Sequence, residues 1–434
     1  MKRLILVLGI VALLPVGFPA EAYARTEKIT LKQLTQKISK ENLTVYSNAL
    51  RVYQAREAIQ VARGNLLPKL NLWRLVGSIV DIVMGNYASA FGLIQDLAPF
   101  LVPANWFRLQ EQKLLYMAEQ EGYRALWANE MMTARGLYHH VLLDRSIAQK
   151  ITEAQVFLNQ ALIMVRNRET LGGLPPGTSR ELEVRSLALL EDQRSLEVLL
   201  NEEQSTLTYL MGMPVATELE LDPMEIPDLS TLEPLNYADF EYRTVSSSPE
   251  VRQFDFFVAA AAYVRREAIY SFLGTTGMSR GVGGGIFDGL PIQDGLGFGT
   301  AASMRIVSAQ ASILRAQQQG VKETLKRHLN LMIQSYNMDL ENYSNLRRRV
   351  ELTKLTEAQH LRNLRLGQEV NILSLVEASR NRIQAETAFL GIQYRFLSNE
   401  DRLARLIFHG EYTLRPAYTE ALERDRRPGE GELL

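Results

Sequence analysis

Residues 329–350, LNLMIQSYNMDLENYSNLRRRV, decide the fold that this sequence predicts. Apolar side chains recur in the stretch at spacings of three or four, at Leu329, Met332, Tyr336, Leu340, Tyr343, Leu346 and Val350. This spacing is close to the seam of a coiled coil, and charged side chains fill the positions between. The pattern predicts an amphipathic helix that packs along other helices.

Proline-free stretches set how long the helices can be, because proline removes a backbone donor and clashes with the preceding turn. No proline lies within 104–174 or within 292–415. We predict one helix over about 106–170 and another over about 301–366. Each would be about 100 Å long at about 1.5 Å per residue, so it must pack lengthwise against other long helices.

Each predicted long helix ends at a glycine-containing turn and is followed by a second helix. The first turn is LGGLPPG at 171–177, with Thr178 and Ser179 as the N-cap of the next helix. The second turn is LGQE at 366–369, which leads into a helix over 370–406.

The composition of the chain argues against several classes of function. The chain has 434 residues with 48 basic and 49 acidic side chains and no cysteine, so its net charge is −1. A nearly neutral chain has no bulk attraction for nucleic acid. Disulfides and cysteine metal sites are excluded, and no His-Glu-x-x-His or Gly-x-Ser-x-Gly motif is present. We therefore predict a protein that is not an enzyme, uses no cofactor or metal and binds no nucleic acid.

The N-terminus has the pattern of an export signal. Lys2 and Arg3 precede the apolar run Leu4–Leu14, and Ala22-Tyr23-Ala24 forms a small-x-small cleavage site. An uncleaved anchor helix is the alternative, but the apolar run is shorter than a membrane span. We predict a signal peptide at 1–24 and an exported mature chain.

The two halves of the chain follow one plan at an offset of roughly 200 residues. Both copies contain a helix, an insert, a long helix, a glycine turn and a further helix. The motifs in this order resemble the TolC family of outer-membrane efflux proteins (outer membrane factors). They are AREAIQVARGNLLP at 55–68, LMGMP at 210–214, SPE at 248–250 and GQEVNILSLVEA at 367–378.

The resemblance implies an all-α-dominated subunit, whose two tandem repeats of long coiled-coil helices form a third of a trimeric α-helical barrel. It implies a passive duct in a tripartite efflux or type I secretion assembly, at the outer membrane or its periplasmic face. The partners implied are two further copies of the chain, a periplasmic adaptor (membrane fusion) protein and an inner-membrane pump. The alternative is a non-conducting periplasmic scaffold that bridges envelope layers or docks on another outer-membrane protein.

We predict five segments. They are the signal peptide (1–24), a first repeat (25–214, insert about 69–105), an irregular linker (215–247), a second repeat (248–410, insert about 272–300) and a disordered tail (411–434).

The inserts depart from the family pattern, which places a β-hairpin in each. Apolar residues of the first insert fall at helical spacings rather than alternating, and the second insert is dominated by glycine. We therefore predict that the hairpins are reduced or replaced by a short helix and a glycine-rich loop. The apolar residues of the first insert are candidates for contact with the outer membrane or an outer-membrane protein: Val76, Ile79, Val80, Val83, Phe91 and Ile94.

The two turns are the candidate functional site. The resemblance places a narrow tip there, with Glu377 and Ser374 as a candidate gate, because a ring of carboxylates attracts cations. A solvated helix face is the alternative for Glu377. The candidate adaptor-docking residues are Gly172, Gly173, Ser179, Glu181 and Gly367.

Overall fold

Long helices dominate the chain. A computed structural model describes residues 26–67, 83–84, 99–214, 217–270, 286–287, 289–290, 299–366, 368 and 371–423. Two three-residue strands, β1 (Glu27–Ile29) and β2 (Leu219–Leu221), pair in parallel. Within the described ranges, no helix is both long enough and apolar enough to cross a membrane.

The helices fall into two series of matching length. The first series is α1 (Leu31–Glu41), α2 (Leu43–Gly64), α3 (Pro103–Thr170) and α4 (Thr178–Leu210), with 11, 22, 68 and 33 residues. The second series is α5 (Tyr237–Ser247), α6 (Pro249–Tyr270), α7 (Thr300–Arg365) and α8 (Ile372–Leu406), with 11, 22, 66 and 35 residues.

The structure confirms the two predicted long helices, α3 and α7, to within a few residues at each end. It also shows a helix, α5, inside the segment predicted to be an irregular linker. Because α5 has the same length as α1 and packs on α7, the observed repetition starts at Tyr237 and is one helix longer than the sequence indicates.

The long helices form a row. α3 contacts α2 and α4 of the first series and α6 and α8 of the second. α7 in turn packs along α6 and α8. Apolar clusters mark these contacts: Leu109 of α3 packs with Ile59 of α2, and Ala118 packs with Phe257 of α6 and Val307 of α7. One edge of the row is therefore α2 and α4, and the other edge is α7.

The main core lies near the middle of the row, where the two strands and α1 pack on α3 and α4. The Trp127 indole donates a 2.8 Å hydrogen bond to Ser39 Oγ of α1. The hydroxyl of buried Tyr138 lies 3.1 Å from the carbonyl of Ile29 and 2.7 Å from that of Asp222. These bonds fix the strand pair to the middle of α3.

Residues 411–423 after α8 have defined structure, which differs from the disorder predicted for this part of the tail. A short helix, α9 (Tyr418–Leu422), packs on α2 and α1 with buried Leu422. Arg135 of α3 holds the preceding turn through ion pairs to Asp401 and Glu411, each 2.8 Å long. Burial and ion pairing thus order a stretch whose composition is polar.

Parts of the predicted organisation lie outside the described residues. These parts are the signal peptide, the replacement of the hairpins within the inserts, the tail from 424 onward, and the side chains of Val76, Ile79, Val80, Phe91 and Ile94. Val83 is described and is 80% exposed.

Candidate functional site at the helical tip

The two glycine turns lie side by side at one end of the row. The Arg168 guanidinium, at the end of α3, donates a 3.4 Å hydrogen bond to the carbonyl of Gln368 in the second turn. Beneath the turns is an apolar cluster from all four long helices, formed by Leu158, Ala161, Val165, Leu182, Leu364, Ile372 and Leu375. The structure thus brings both predicted turns into one tip.

The first turn is a Schellman motif, which satisfies carbonyls at a helix end. The N–H of Gly173 donates to the carbonyl of Arg168 at 2.8 Å, and the N–H of Gly172 donates to that of Glu169 at 3.2 Å. Gly172 has φ +76°, where a side chain would strain the backbone. Gly172 and Gly173 are both exposed, so the turn presents its backbone to the surroundings.

The start of α4 differs from the predicted cap at Thr178 and Ser179. Its N-cap is Gly177, with φ +96° and no side-chain cap. Instead, the Glu169 carboxylate reaches across the turn from α3 and accepts the backbone N–H groups of Gly177 and, at 2.9 Å, of Ser179. Hydrogen bonds from Ser179 and Gly177 hold the pKa of Glu169 below its usual range. Sequence reasoning missed Glu169, because its partners lie eight and ten residues further along.

The second turn shares one closing hydrogen bond with the first but caps its following helix differently. The N–H of Gln368 donates to the carbonyl of Asn363 at 3.1 Å, the same five-residue span as in the first turn. Asn371 then caps α8 itself, since its Oδ1 accepts the N–H of Leu373 at 2.9 Å. Gly367, the remaining docking candidate, lies outside the described residues.

The predicted gate and docking residues lie at the surface of the tip. Glu377 is exposed on α8, on the face away from the fully buried Leu375, and Ser374 is half-buried beside it. Glu181 is exposed in the first turn of α4, and Ser179 is half-buried. This arrangement leaves Glu377 and Glu181 accessible to a partner or to the interior of a ring.

Behind the tip, the seam between α7 and α8 contains buried charge. Arg382 Nε lies 2.9 Å from Glu357 Oε2, and the two side chains are 13% and 8% exposed. One turn further, Lys354 Nζ lies 3.0 Å from buried Glu386. Burial raises the pKa of Glu357, although Arg382 opposes that rise. One pair of this seam, Arg382 with Glu357, is therefore held largely away from solvent, whereas Lys354 of the other pair is 53% exposed.

The corresponding seam between α3 and α4 is joined by neutral groups. Gln155 Nε2 donates a 2.7 Å hydrogen bond to Ser186 Oγ. The ion pair of this seam, Arg166 to Glu183 at 2.7 Å, is about half exposed on both sides. Higher up, burial and the charge of Asp144 raise the pKa of Glu203 to about 7.

No described group of three or more His, Asp or Glu side chains has a geometry that could hold a metal ion. The polar cluster nearest to such a site is at Arg135, where His139 Nε2 lies 3.6 Å from Asp401 Oδ2. Burial, the neighbouring Arg135 and His140 lower the pKa of His139 to about 4, so this imidazole is neutral near pH 7.

Known proteins resemble this chain in fold rather than in sequence. No protein-family model and no curated protein matches the sequence. Solved structures resemble the chain over most of its length. They include the outer membrane protein VceC of Vibrio cholerae, with a TM-score of 0.67, 11% identity, and coverage of 88% of this chain and 96% of that one.

Two further solved structures match the chain to a similar degree. A membrane protein from Pseudomonas aeruginosa has a TM-score of 0.66 and 15% identity, and the match covers 88% of this chain and 91% of that one. The CmeC outer membrane channel of Campylobacter jejuni has a TM-score of 0.65 and 12% identity, with coverage of 92% and 87%. The chain therefore has the fold of TolC-like outer membrane channels, which confirms the fold implied by the motifs.

Proposed function

We propose that the chain is a subunit of a passive duct in an efflux or type I secretion assembly, located at the outer membrane or its periplasmic face. One observation carries the proposal: the row of helices has two edges without a long-helix partner among the described residues, and each edge bears an apolar stripe. The proposal needs no catalytic group and no cofactor.

The stripe on α7 is exposed and regular. It consists of Ile306, Ile313, Leu331, Met338 and Leu352, which are 39% to 58% exposed. Their spacings of 7, 18, 7 and 14 residues return to nearly the same face of a helix. This face is roughly a quarter turn from the residues that α7 buries against α6 and α8.

The opposite edge carries a matching stripe along α2 and α4. Its exposed residues are Leu43, Leu50 and Val61 on α2, and Val184, Leu187, Val198 and Tyr209 on α4. They point away from the faces that these helices bury against α3. Of the inner helices, α6 and α8 expose large apolar side chains only near their ends, at Ile269, Tyr270 and Leu373, whereas α3 also exposes Trp106, Met117, Val156 and Ile163.

Apolar stripes on opposite edges favour a ring of identical subunits. Exposed apolar side chains that recur on one face of a helix are typical of an interaction surface. Contact of the α7 edge of one copy with the α2–α4 edge of the next is heterologous, and such contacts close into a ring when the rotation between copies allows. Three copies, the number that the resemblance implies, would enclose a channel between long helices.

The tip would then be the docking end of the duct. We propose that a periplasmic adaptor, which connects to an inner-membrane pump, contacts Gly172, Gly173, Ser179, Glu181 and Gly367. Exposed Glu377, repeated around the axis with Ser374 beside it, would narrow the entrance and attract cations. Charge repulsion among the copies would favour an open or hydrated tip.

The test compares two variants with equal chemistry. In the first, Leu331→Glu and Met338→Glu place two carboxylates in the α7 stripe. In the second, Asn330→Glu and Ser344→Glu place two carboxylates at exposed positions of the same helix, about a quarter turn or more around it from Leu331 and Met338. The detergent-extracted protein is weighed by light scattering, and its end-on views are recorded by electron microscopy. We expect rings for the wild type and the second variant, and monomers for the stripe variant.

Transport is measured separately, as dye accumulation in a host strain that lacks the gene. The wild type should restore dye export and the stripe variant should not. A wild-type protein that remains monomeric would overturn the proposal. Rings in a strain whose drug and dye sensitivity is unchanged, but whose envelope is altered, would favour the non-conducting scaffold.

A further inference from the structure

A groove between α6 and α7 lies beside the insert that connects these helices. It encloses a cavity of about 460 Å³ with two kinds of lining. Its apolar lining comprises Val258, Ala261, Ala262, Ile269, Val307 and Ala311, and its basic lining comprises Arg265, Arg266 and Arg315. The groove thus combines an apolar floor with three guanidinium groups.

The three arginines lack acidic partners in the described part of the chain. All three are exposed, and Arg266 lies over the ring of Tyr263, 5.2 Å from its centre. By contrast, Arg382, Arg395 and Arg405 each pair with a carboxylate.

The carboxylates on α6 are already engaged. Asp255 accepts a 2.6 Å hydrogen bond from Gln318 of α7. Glu267 is buried and has its own interaction partner. The groove is therefore a local concentration of positive charge in a chain whose net charge is −1.

We propose that this groove binds an anionic phospholipid, with the phosphate at the arginines and the first part of an acyl chain on the apolar floor. Guanidinium groups bind phosphate oxygens in a bidentate manner, and apolar side chains gain free energy when they cover methylene groups. Basic clusters next to a bilayer attract its anionic lipids.

The position of the groove suits this ligand. Its α6 side ends at Ile269, one residue before α6 ends, and its α7 side begins at Val307, two turns after α7 starts. The groove thus lies within about 20 Å of the end of the row that carries the inserts. The inference rests on the proposed function in one respect, since that function places this end at the outer membrane.

Ring formation would leave the groove open. Its residues on α7, including Ser308, Ala311 and Arg315, lie roughly half a turn around the helix from Ile306 and Ile313 of the edge stripe. A lipid in the groove therefore does not compete with contact between subunits.

The experiment measures binding of the full chain to vesicles. Purified protein is sedimented with phosphatidylcholine vesicles that contain or lack phosphatidylglycerol. Arg265→Gln, Arg266→Gln and Arg315→Gln are combined in one variant. The matched control combines Arg347→Gln, Arg348→Gln and Arg349→Gln, which removes the same charge from the tip half of α7. We expect the groove variant to lose roughly a hundredfold in partitioning to anionic vesicles, about fivefold per arginine, and the control to lose little.

A second variant tests the apolar floor with the charge kept. Ala262 is exposed in the groove, so Ala262→Trp fills the cavity without altering the packed core. It should weaken binding to anionic vesicles but leave binding of free inorganic phosphate unchanged. Phosphate binding alone, without vesicle binding, would overturn the lipid assignment.

Other outcomes also decide the matter. If the groove variant and the control lose the same amount of vesicle binding, general electrostatic attraction explains the binding and the inference is wrong. Equal binding to vesicles with and without phosphatidylglycerol would also overturn it. The mass of the groove variant is measured in parallel. If the groove variant still forms the ring but no longer binds lipid, lipid binding has been lost without loss of the proposed duct.

Discussion

The two repeats have helices of nearly the same lengths but different chemistry between them. In the first repeat, Gln155 and Ser186 join α3 to α4 as neutral partners, and the ion pair of Arg166 is exposed to solvent. In the second, the pair of Arg382 and Glu357 is buried between α7 and α8. Helix length and turn position thus define the repeat, whereas the seam within it is free to vary.

The helix ends show the same contrast. Two residues after α4 comes Gly212 with φ +67°, and two residues after α8 comes Phe408 with φ +48°, so one left-handed position is glycine and the other is a bulky aromatic residue. Both ends are Schellman motifs, with Met213 N–H donating to Thr208 and His409 N–H donating to Ala404.

Tertiary contacts explain why these ends differ. A side chain at Gly212 would collide with the backbone carbonyl of Glu41 in α1. The ring of Phe408 is buried, with the guanidinium groups of Arg124 and Arg405 above it at 4.9 Å and 5.2 Å. Packing and cation–π contacts offset the backbone strain at this position.

The largest effect is expected for Gly212→Ala, which tests the contrast between the ends of α4 and α8. We expect a loss of about 4 kcal/mol in the free energy of unfolding, from about 1 for alanine in the left-handed region and about 3 for displacing the backbone of Glu41. The measurement is urea unfolding followed by helical circular dichroism at fixed protein concentration. Gly136→Ala is the control, because its added methyl group meets open space in α3. A similar effect in both variants would refute the steric explanation.

The next test sharpens the contrast between the seams. Arg382→Met leaves the carboxylate of Glu357 buried without its partner, which should cost about 3 kcal/mol. Adding Glu357→Leu should recover most of that loss, because the pair is then replaced by apolar packing. Gln155→Leu in the first seam should cost about 1 kcal/mol. If the single and double variants of the second seam unfold alike, the buried pair does not couple the two helices.

A pH dependence is expected in the first repeat from Glu203. The pKa of Glu203 is about 7, above its usual value, so the folded state binds a proton that the unfolded state releases. Stability from this group is therefore complete below the unfolded pKa and is lost as pH rises through about 7. Glu203→Gln should remove this loss and stabilise the protein at pH 8 by about 1 kcal/mol, a value reduced for solvent exposure. Exposed Glu202→Gln is the control, and an equal gain there would contradict the assignment.

The smallest expected effect is local to the tip. Glu169→Ala should speed hydrogen exchange at the amides of Gly177 and Ser179, because both donate to that carboxylate. In the second turn, Asn371→Ala should affect Leu373 alone. Because the pKa of Glu169 is lowered, its bonds persist above the unfolded pKa and are lost as pH falls through the folded pKa. Unchanged exchange at Gly177, or an equal change in the control Glu181→Ala, would show that Glu169 does not close the turn.

Much of the fold and part of the tip could be predicted from the sequence. The apolar seam through Leu329 and Tyr343 and the absence of proline indicate α7, and Gly172 and Gly173 indicate the first turn. The helix α5 was missed because it lies between Pro234 and Pro249, in a stretch whose closely spaced prolines indicated irregular structure. Glu169 was missed because a cap supplied by the preceding helix has no spacing rule comparable to that of a capping box.

By itself, the sequence determined the helical repeat, since the spacing of apolar residues and the positions of proline and glycine act through local geometry. Only the tertiary structure decided the pairing of Ile29 with Leu221, the ordering of Tyr412, and the left-handed conformation of Phe408. It also decided which apolar residues remain on open edges, because exposure depends on which neighbouring helices are present. Contacts between residues far apart in the chain carry no local pattern, so they become apparent only once the helices are placed together.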